Sequence, residues 1–123
     1  MKDILALGIG LNREILTTVR LTTGGVCSLV GLDMEESEDC KVCVTESLLL
    51  LMHSGFRAAR LSFAESEGVC IKIEGDDYAA PEENYPDDEI SSALLSALAG
   101  DVNMQRRDGR LTAIEFRFAK NGR

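Results

Sequence analysis

The sequence predicts an α+β fold, a two-layer sandwich in which three helices cover one face of a mixed, mostly antiparallel five-stranded sheet. Three stretches place apolar residues at three- and four-residue intervals, as amphipathic helices do. Two pairs of alternating segments flank short turns that contain glycine, which is typical of β-hairpins. A short apolar run, Ile4 to Ile9, ends at a glycine and predicts a first strand. Hairpins rather than β-α-β units favour an antiparallel sheet with helices on one side.

Length and composition indicate one globular domain spanning residues 1–123. The chain is 45% hydrophobic and 28% charged, which excludes disorder for the chain as a whole. No apolar run approaches the roughly 20 residues of a membrane span. The sequence begins Met1-Lys2-Asp3 without a charged-then-apolar leader, so we expect a cytoplasmic protein.

The net charge of −8 is concentrated in one segment. Residues 74–89 carry eight acids and no base, and elsewhere acids and bases are equal in number. An acidic chain repels phosphate backbones, so we expect no nucleic-acid partner. The C-terminal part is basic, and we expect both charged stretches to be solvated faces. The basic residues are Arg106, Arg107, Arg110, Arg117, Lys120 and Arg123.

The first two helices have clear boundary signals. Asn12 is a candidate N-cap for an apolar face that runs from Ile15 to Val30 and stops at Gly31. Gly24-Gly25 lies inside that pattern, which indicates a weak helix or the close approach of another backbone. Asp33 and Glu36 have capping-box spacing for the second helix, which should run to about His53, before Gly55.

The remaining elements follow in order. A hairpin is predicted from Arg57 to Ala64 and from Val69 to Ile73, followed by an acidic loop over residues 75–89. A second hairpin should turn at Asp108-Gly109, between strands at 101–106 and 111–118. A third helix precedes it and ends at Gly100, and its predicted apolar face is Ile90, Ala93, Leu94, Ala97 and Leu98.

Two of the four cysteines, Cys40 and Cys43, have the CxxC spacing of redox and zinc sites. No second CxxC follows, and the chain has a single histidine, His53. Both sulfurs would also lie on one face of the second helix. We therefore favour small buried side chains over a metal or redox centre, with the second interpretation left open.

The segment from Val19 to Phe56 resembles the anti-sigma factor serine kinases of bacterial partner switching. It has a Val-Arg-Leu start, a helix of small residues, a Gly-hydrophobic-Asp turn and the phrase EDCKVCVTE at 38–46. Residues 101–104 and 111–118 resemble the closing hairpin of that family. The resemblance implies the Bergerat-type fold of the histidine-kinase-like (GHKL) ATPases for residues 1–123, with the acidic loop 75–89 in place of the ATP lid.

The resemblance implies an ATP site that is degenerate here. Glu46 matches the family's general base, but the metal-binding Asn four residues on is Leu50. An alkyl group cannot ligate magnesium. In the family's Asp-x-Gly-x-Gly turn, the Asp position falls on Gly75 and the glycines on Asp77 and Ala79; a shift of one residue brings in Asp76 but no glycines. The family's lid glycines are also missing, since residues 87–92 read DDEISS.

The run Leu48 to Leu51 occupies the place of the family's polar pocket. It indicates either a pocket filled with core or an apolar groove for a partner, and we favour the first. The lone His53 at the helix end is typical of a favourable interaction with the helix dipole, and Ser54 takes the place of the family's helix-end histidine.

The sequence therefore predicts an anti-sigma-like regulator that acts by protein binding, a pseudo-ATPase in the cytoplasm that controls transcription. Its partners would be a sigma factor or an anti-anti-sigma protein, with a homodimer possible; no membrane and no cofactor or metal is expected. The alternative is an active ATP-dependent serine kinase with Glu46 as base, binding ATP and magnesium. A third hypothesis is a metal or redox sensor that uses Cys40 and Cys43.

Overall fold

The computed structural model describes residues 1–80 and 88–120 of the chain. Within them the elements follow the predicted order β-α-α-β-β-α-β-β. They are β1 (Lys2–Gly10), α1 (Ile15–Leu29), α2 (Met34–Ser54), β2 (Phe56–Glu65), β3 (Gly68–Tyr78), α3 (Asp88–Leu98), β4 (Gly100–Arg107) and β5 (Arg110–Ala119). In this part of the chain no helix is both long and apolar enough to span a bilayer.

The sheet has the strand order β1-β2-β3-β5-β4, and each neighbouring pair is antiparallel. The α+β prediction is confirmed, but the expectation of a mixed sheet is wrong for the described strands. The connection through α3 places β4 beyond β5, at the edge of the sheet. As a result β5 lies next to β3 and pairs with it in the antiparallel direction.

The core lies between the helices and one face of the sheet. Alternate residues of paired strands meet there, as in the pairs Leu61–Ile73 and Ile71–Phe116. The opposite face carries charged residues such as Lys72 and Glu115, which are partners across β3 and β5. This alternation of apolar and polar positions is what a sheet covered on one side requires.

The predicted end of α1 is confirmed, but the predicted N-cap is wrong, because the helix begins at Ile15 and its N-cap is Glu14, with Asn12 two residues earlier. The Asn12 Oδ1 atom accepts a hydrogen bond from the Ile15 N–H at 3.0 Å, and Gly31 follows the helix with φ +83°. The group that approaches the glycine pair is a side chain and not a backbone. A Cβ on Gly24 would lie 2.8 Å from Cε of Lys41, so glycine makes room for the Lys41 stem of α2.

The capping box of α2 is also confirmed. The Asp33 Oδ1 atom accepts from the Glu36 N–H and the Glu36 Oε1 atom accepts from the Asp33 N–H, both at 2.8 Å. The helix ends at Gly55, whose φ of +107° is the left-handed conformation that glycine adopts readily.

The predicted bounds of the acidic loop, residues 75–89, are wrong at both ends. β3 continues through Tyr78, because Gly75, Asp76 and Tyr78 pair with residues of β2, and α3 already begins at Asp88. Backbone pairing with a neighbouring strand thus overrides the acidic composition. The acids Glu82, Glu83 and Asp87 and both prolines lie outside the described residues, as does Arg123.

The predicted apolar face of α3 is wrong in part, since Leu94 and Leu98 are half-buried and Leu98 packs against the core. Ile90 is 63% exposed, and Ala93 and Ala97 are also exposed, whereas Ser91 and Leu95 are buried. Each of these two buried residues lies one position after a residue of the predicted face, Ile90 or Leu94. The reason is that Ser91 has a hydrogen-bonding partner on α2, so a polar residue occupies a position that the apolar pattern leaves out.

Both predicted hairpins are present. The second turns at Asp108 and Gly109, with φ of +54° and +76°, the signs that a two-residue type I′ turn requires. The first turns at Glu67 and Gly68, where φ is +54° and +139°. A Cβ on Gly68 would clash with the Phe118 carbonyl oxygen of β5.

We predict that Gly68→Ala lowers the free energy of unfolding by roughly 2–4 kcal/mol, because it adds backbone strain to a clash with backbone atoms. Gly8→Ala is the matched control, since its Cβ would meet nothing within 4 Å. Urea unfolding should place this control within about 0.5 kcal/mol of wild type. Equal effects of the two substitutions would contradict the account of the turn.

Candidate functional site

Glu46, the residue predicted as a catalytic base, lies half-buried on α2 where α3 packs against that helix. Its Oε2 atom accepts a hydrogen bond of 2.7 Å from the hydroxyl of Ser91 on α3. Ser91 is 8% exposed, so this bond is shielded from solvent on the α3 side. The carboxylate therefore joins two helices.

Leu50 lies one turn after Glu46, on the same face of α2. It is only 2% exposed and belongs to the hydrophobic core. Leu48 and Leu51 are fully buried, and Leu49 is half-buried. The interpretation of the leucine run as core is confirmed, and the exposed groove is not formed by these residues.

The segment aligned with the nucleotide-binding turn is the last part of β3. Gly75 is pressed against the ring of Phe56, since a Cβ there would lie 2.5 Å from Cδ2 of that ring. Asp76 is exposed, and its Oδ1 atom accepts from the N–H of Asp77 at 2.9 Å. Asp77 has a φ of +53°, and Ala79 donates its N–H to the Gly55 carbonyl oxygen at 2.7 Å. All of these contacts lie at one end of the β2–β3 pair, among residues 55–56 and 75–79.

A cavity of about 330 Å³ lies between the end of α2, α3 and the β4–β5 turn. Leu50 and Ser54 form part of its wall, whereas Glu46, Gly75 and Asp76 do not. The other lining residues are Tyr78, Ser92, Arg106, Asp108, Gly109, Arg110 and Leu111. Its volume is at the low end of the range for small-molecule sites, and its wall mixes apolar, hydroxyl and charged groups.

Tyr78 anchors the wall of this cavity. The Arg110 guanidinium carbon lies 3.8 Å from the centroid of the Tyr78 ring, a cation–π contact. The Phe56 ring packs edge-on against the same tyrosine, with centroids 5.7 Å apart. The aromatic pair thus links the start of β2 to the basic hairpin of β4 and β5.

The cysteines of the CxxC pair are both buried, as predicted, on the inner side of α2. Burial raises the pKa of Cys43 to about 12, so its thiol stays protonated at neutral pH. Over residues 1–80 and 88–120 there is no group of three His, Cys, Asp or Glu side chains placed to hold a metal ion. His53 is buried in the last turn of α2, beside Ser54.

Sequence reasoning missed the residues that pack around the predicted site. Ser91 could have been found, because Ser91-Ser92 falls at the start of a helical pattern where a hydroxyl can face a neighbouring helix. No sequence signal joins Tyr78 to Arg110 or Phe56 to Gly75, since these contacts depend on the register of three strands.

No protein-family model matches the chain, and no curated protein sequence matches it.

We predict that Ser91→Ala lowers the free energy of unfolding by about 1 kcal/mol, because it removes a hydrogen bond to a half-buried carboxylate. Ser96→Ala, at an exposed position of the same helix, is the control and should change it by less than about 0.5 kcal/mol. Urea unfolding followed by circular dichroism measures both. A Ser91→Ala variant as stable as the control would show that the Glu46–Ser91 bond does not join the helices.

Proposed function

We propose that this chain is a regulatory protein of anti-sigma type with the GHKL ATPase-like fold, which binds a protein partner and does not depend on ATP. The observation that carries the proposal is the packing of α3 on α2. It engages Glu46 with Ser91 and buries Leu50 on the surface where the resembling family binds metal and activates a hydroxyl.

Chemistry at Glu46 supports this proposal. A general base must reach the proton that it removes, and a metal-dependent phosphoryl transfer needs an oxygen ligand for magnesium nearby. Glu46 already accepts a hydrogen bond from Ser91, and the residue one turn on is an alkyl group. On this face of α2 the Glu46 carboxylate is thus already engaged and position 50 offers no oxygen ligand, which favours a function without phosphoryl transfer.

The end of β3 supports the same conclusion. A carboxylate at position 75 would have to occupy the space filled by the Phe56 ring. Asp76, the residue brought in by a one-residue shift, follows Gly75 in the strand and so projects to the opposite side of the sheet. Neither alignment places an acidic side chain where it could contact the adenine of a nucleotide bound in the cavity beside Leu50.

The outer face of α1 is a candidate surface for the partner. Leu21 and Leu29 are 73% and 72% exposed, and they lie two turns apart on one side of the helix with Gly25 between them. Because Gly25 has no side chain, a partner can approach the helix backbone closely between Leu21 and Leu29. We propose that a sigma factor or an anti-anti-sigma protein packs an apolar face against this strip.

The test is a binding assay with individually purified sigma factors and anti-anti-sigma proteins of the source organism, without nucleotide. We predict saturable 1:1 binding of one of them, weakened at least tenfold by the double substitution Leu21→Gln and Leu29→Gln. Ile90→Gln is the matched control, because Ile90 is an apolar residue that is 63% exposed on a different helix, α3. Binding that appears only with Mg-ATP, or loss of affinity in the control alone, would contradict the proposal.

The same purified proteins also test whether the chain is a serine kinase rather than a binding protein. Incubation with radiolabelled Mg-ATP should transfer no phosphate to any of these partners, because magnesium has no ligand at Leu50. Phosphate transfer that is abolished by Glu46→Gln would overturn the proposal and establish Glu46 as a base.

A further inference from the structure

Two arginines, Arg106 and Arg110, line the cavity of about 330 Å³ beside Leu50. The ion pairs among residues 1–80 and 88–120 involve other basic side chains, Lys41 and Arg117, and neither cavity arginine takes part in one. The chain has a net charge of −8, so acids are abundant elsewhere. Both cavity arginines therefore keep their capacity to bind an anion that comes from outside the described part of the chain.

The Arg110 guanidinium is held at the cavity wall by an aromatic ring. Its central carbon lies 3.8 Å from the centroid of the Tyr78 ring, and Phe56 packs edge-on against the same tyrosine. Arg110 is half-buried, which restricts its side chain further. Stacking uses one face of the planar guanidinium and leaves the N–H groups at its edge able to donate. A fork of donors is thus held in place before any ligand arrives.

An irregularity in the pairing of β4 with β5 brings Arg106 to the same cavity. Gln105 pairs with Ala113, but Arg106 pairs with Leu111, so Thr112 is an extra residue in β5. Bulges of this kind redirect side chains and are frequent beside binding sites. Arg106 and its partner Leu111 both line the cavity, so a cationic and an apolar group lie next to each other in the wall.

The wall combines a small excess of positive charge with apolar surface. Its charged residues are Arg106, Arg110 and Asp108, which together carry one net positive charge. Leu50 and Leu111 supply apolar surface beside them. Further hydrogen-bond donors are the hydroxyl groups of Ser54 and Ser92. One singly charged group would neutralise this wall.

We propose that the cavity binds a carboxylate that is carried on a short apolar body. The carboxylate accepts hydrogen bonds from the guanidinium groups of Arg106 and Arg110, whose planar forks match its geometry. The apolar body lies against Leu50 and Leu111, in a cavity whose volume suits a small molecule. Asp108 selects against a second negative charge by repulsion. The carboxylate belongs either to a free aliphatic or aromatic acid or to a side chain of another protein.

This inference goes beyond the proposed function and does not depend on it. A nucleoside triphosphate carries several negative charges, which a wall with one excess positive charge does not neutralise. Binding of a monocarboxylate is therefore compatible with a chain that does not bind ATP. Failure of the carboxylate test would leave the partner-binding assay unaffected.

The test is a titration of the ¹⁵N-labelled full-length protein followed by NMR. The probes are benzoate, hexanoate and a blocked dipeptide, N-acetyl-leucyl-glutamate amide, each with one carboxylate. We expect saturable shifts of the backbone amide signals of Ser92, Gly109 and Leu111, with a Kd at or below about 1 mM. Shifts with the free acids alone identify a small-molecule ligand, and shifts with the dipeptide alone identify a protein carboxylate; either result supports the site.

Benzamide and hexanamide are the matched probes, because they have the same apolar bodies without the charge. They should bind at least about tenfold more weakly than the corresponding acids, since the charged hydrogen bonds to the arginines are lost. This comparison uses the wild-type protein only and so does not depend on the folding of any variant.

Two neighbouring arginines provide the matched variants. Arg106→Gln should weaken binding at least about tenfold, whereas Arg107→Gln removes the same charge at a position that does not line the cavity and should change the Kd by less than about twofold. Both residues are exposed, so neither substitution disturbs the core. Equal losses in the two variants, equal binding of acid and amide, or no saturable shift with any of the three carboxylates would overturn the proposal.

Discussion

The structure depends on one constraint, which is that the C-terminal half of α2 is apolar around its whole circumference. Residues 48–52 are Leu-Leu-Leu-Leu-Met, and burying such a helix requires a neighbour on every side. The sheet covers one side, α1 a second and α3 a third, and Leu48, Leu50 and Leu51 become fully or almost fully buried. The antiparallel sheet and the flanking helices are arranged around this central helix.

The candidate site is a consequence of the same constraint. Because α3 lies on α2 and covers the leucines, Ser91 comes within 2.7 Å of Glu46, and a cavity of about 330 Å³ remains beside Leu50. In a chain with an Asn in place of Leu50, that face of the helix would need water or a metal. Here burial of apolar side chains replaces those polar contacts, and at about 1.5–3 kcal/mol for each fully buried leucine it stabilises the closed arrangement.

The sequence was most informative where the signal is local. The capping box at Asp33 and Glu36 and the Asp108-Gly109 turn each depend on neighbouring residues, and both are as predicted. It was wrong where a distant partner decides. Pairing with β2 turns Gly75 to Tyr78 into strand, and the hydrogen bond to Glu46 rotates α3 so that Ile90 is exposed. At the site, Glu46 and Leu50 could be selected from their helical spacing. Phe56 and Tyr78 could not, because only the tertiary fold brings them there.

The central proposal is that this chain acts without binding a nucleotide, and calorimetric titration with Mg-ATP and then Mg-ADP tests it most directly. We predict no saturable heat up to about millimolar nucleotide. The difference between micromolar and millimolar affinity corresponds to roughly 4 kcal/mol, so the titration separates the two outcomes clearly. Saturable micromolar binding would contradict the account, because it would mean that α3 can leave α2 and expose Glu46 and Leu50 to a triphosphate.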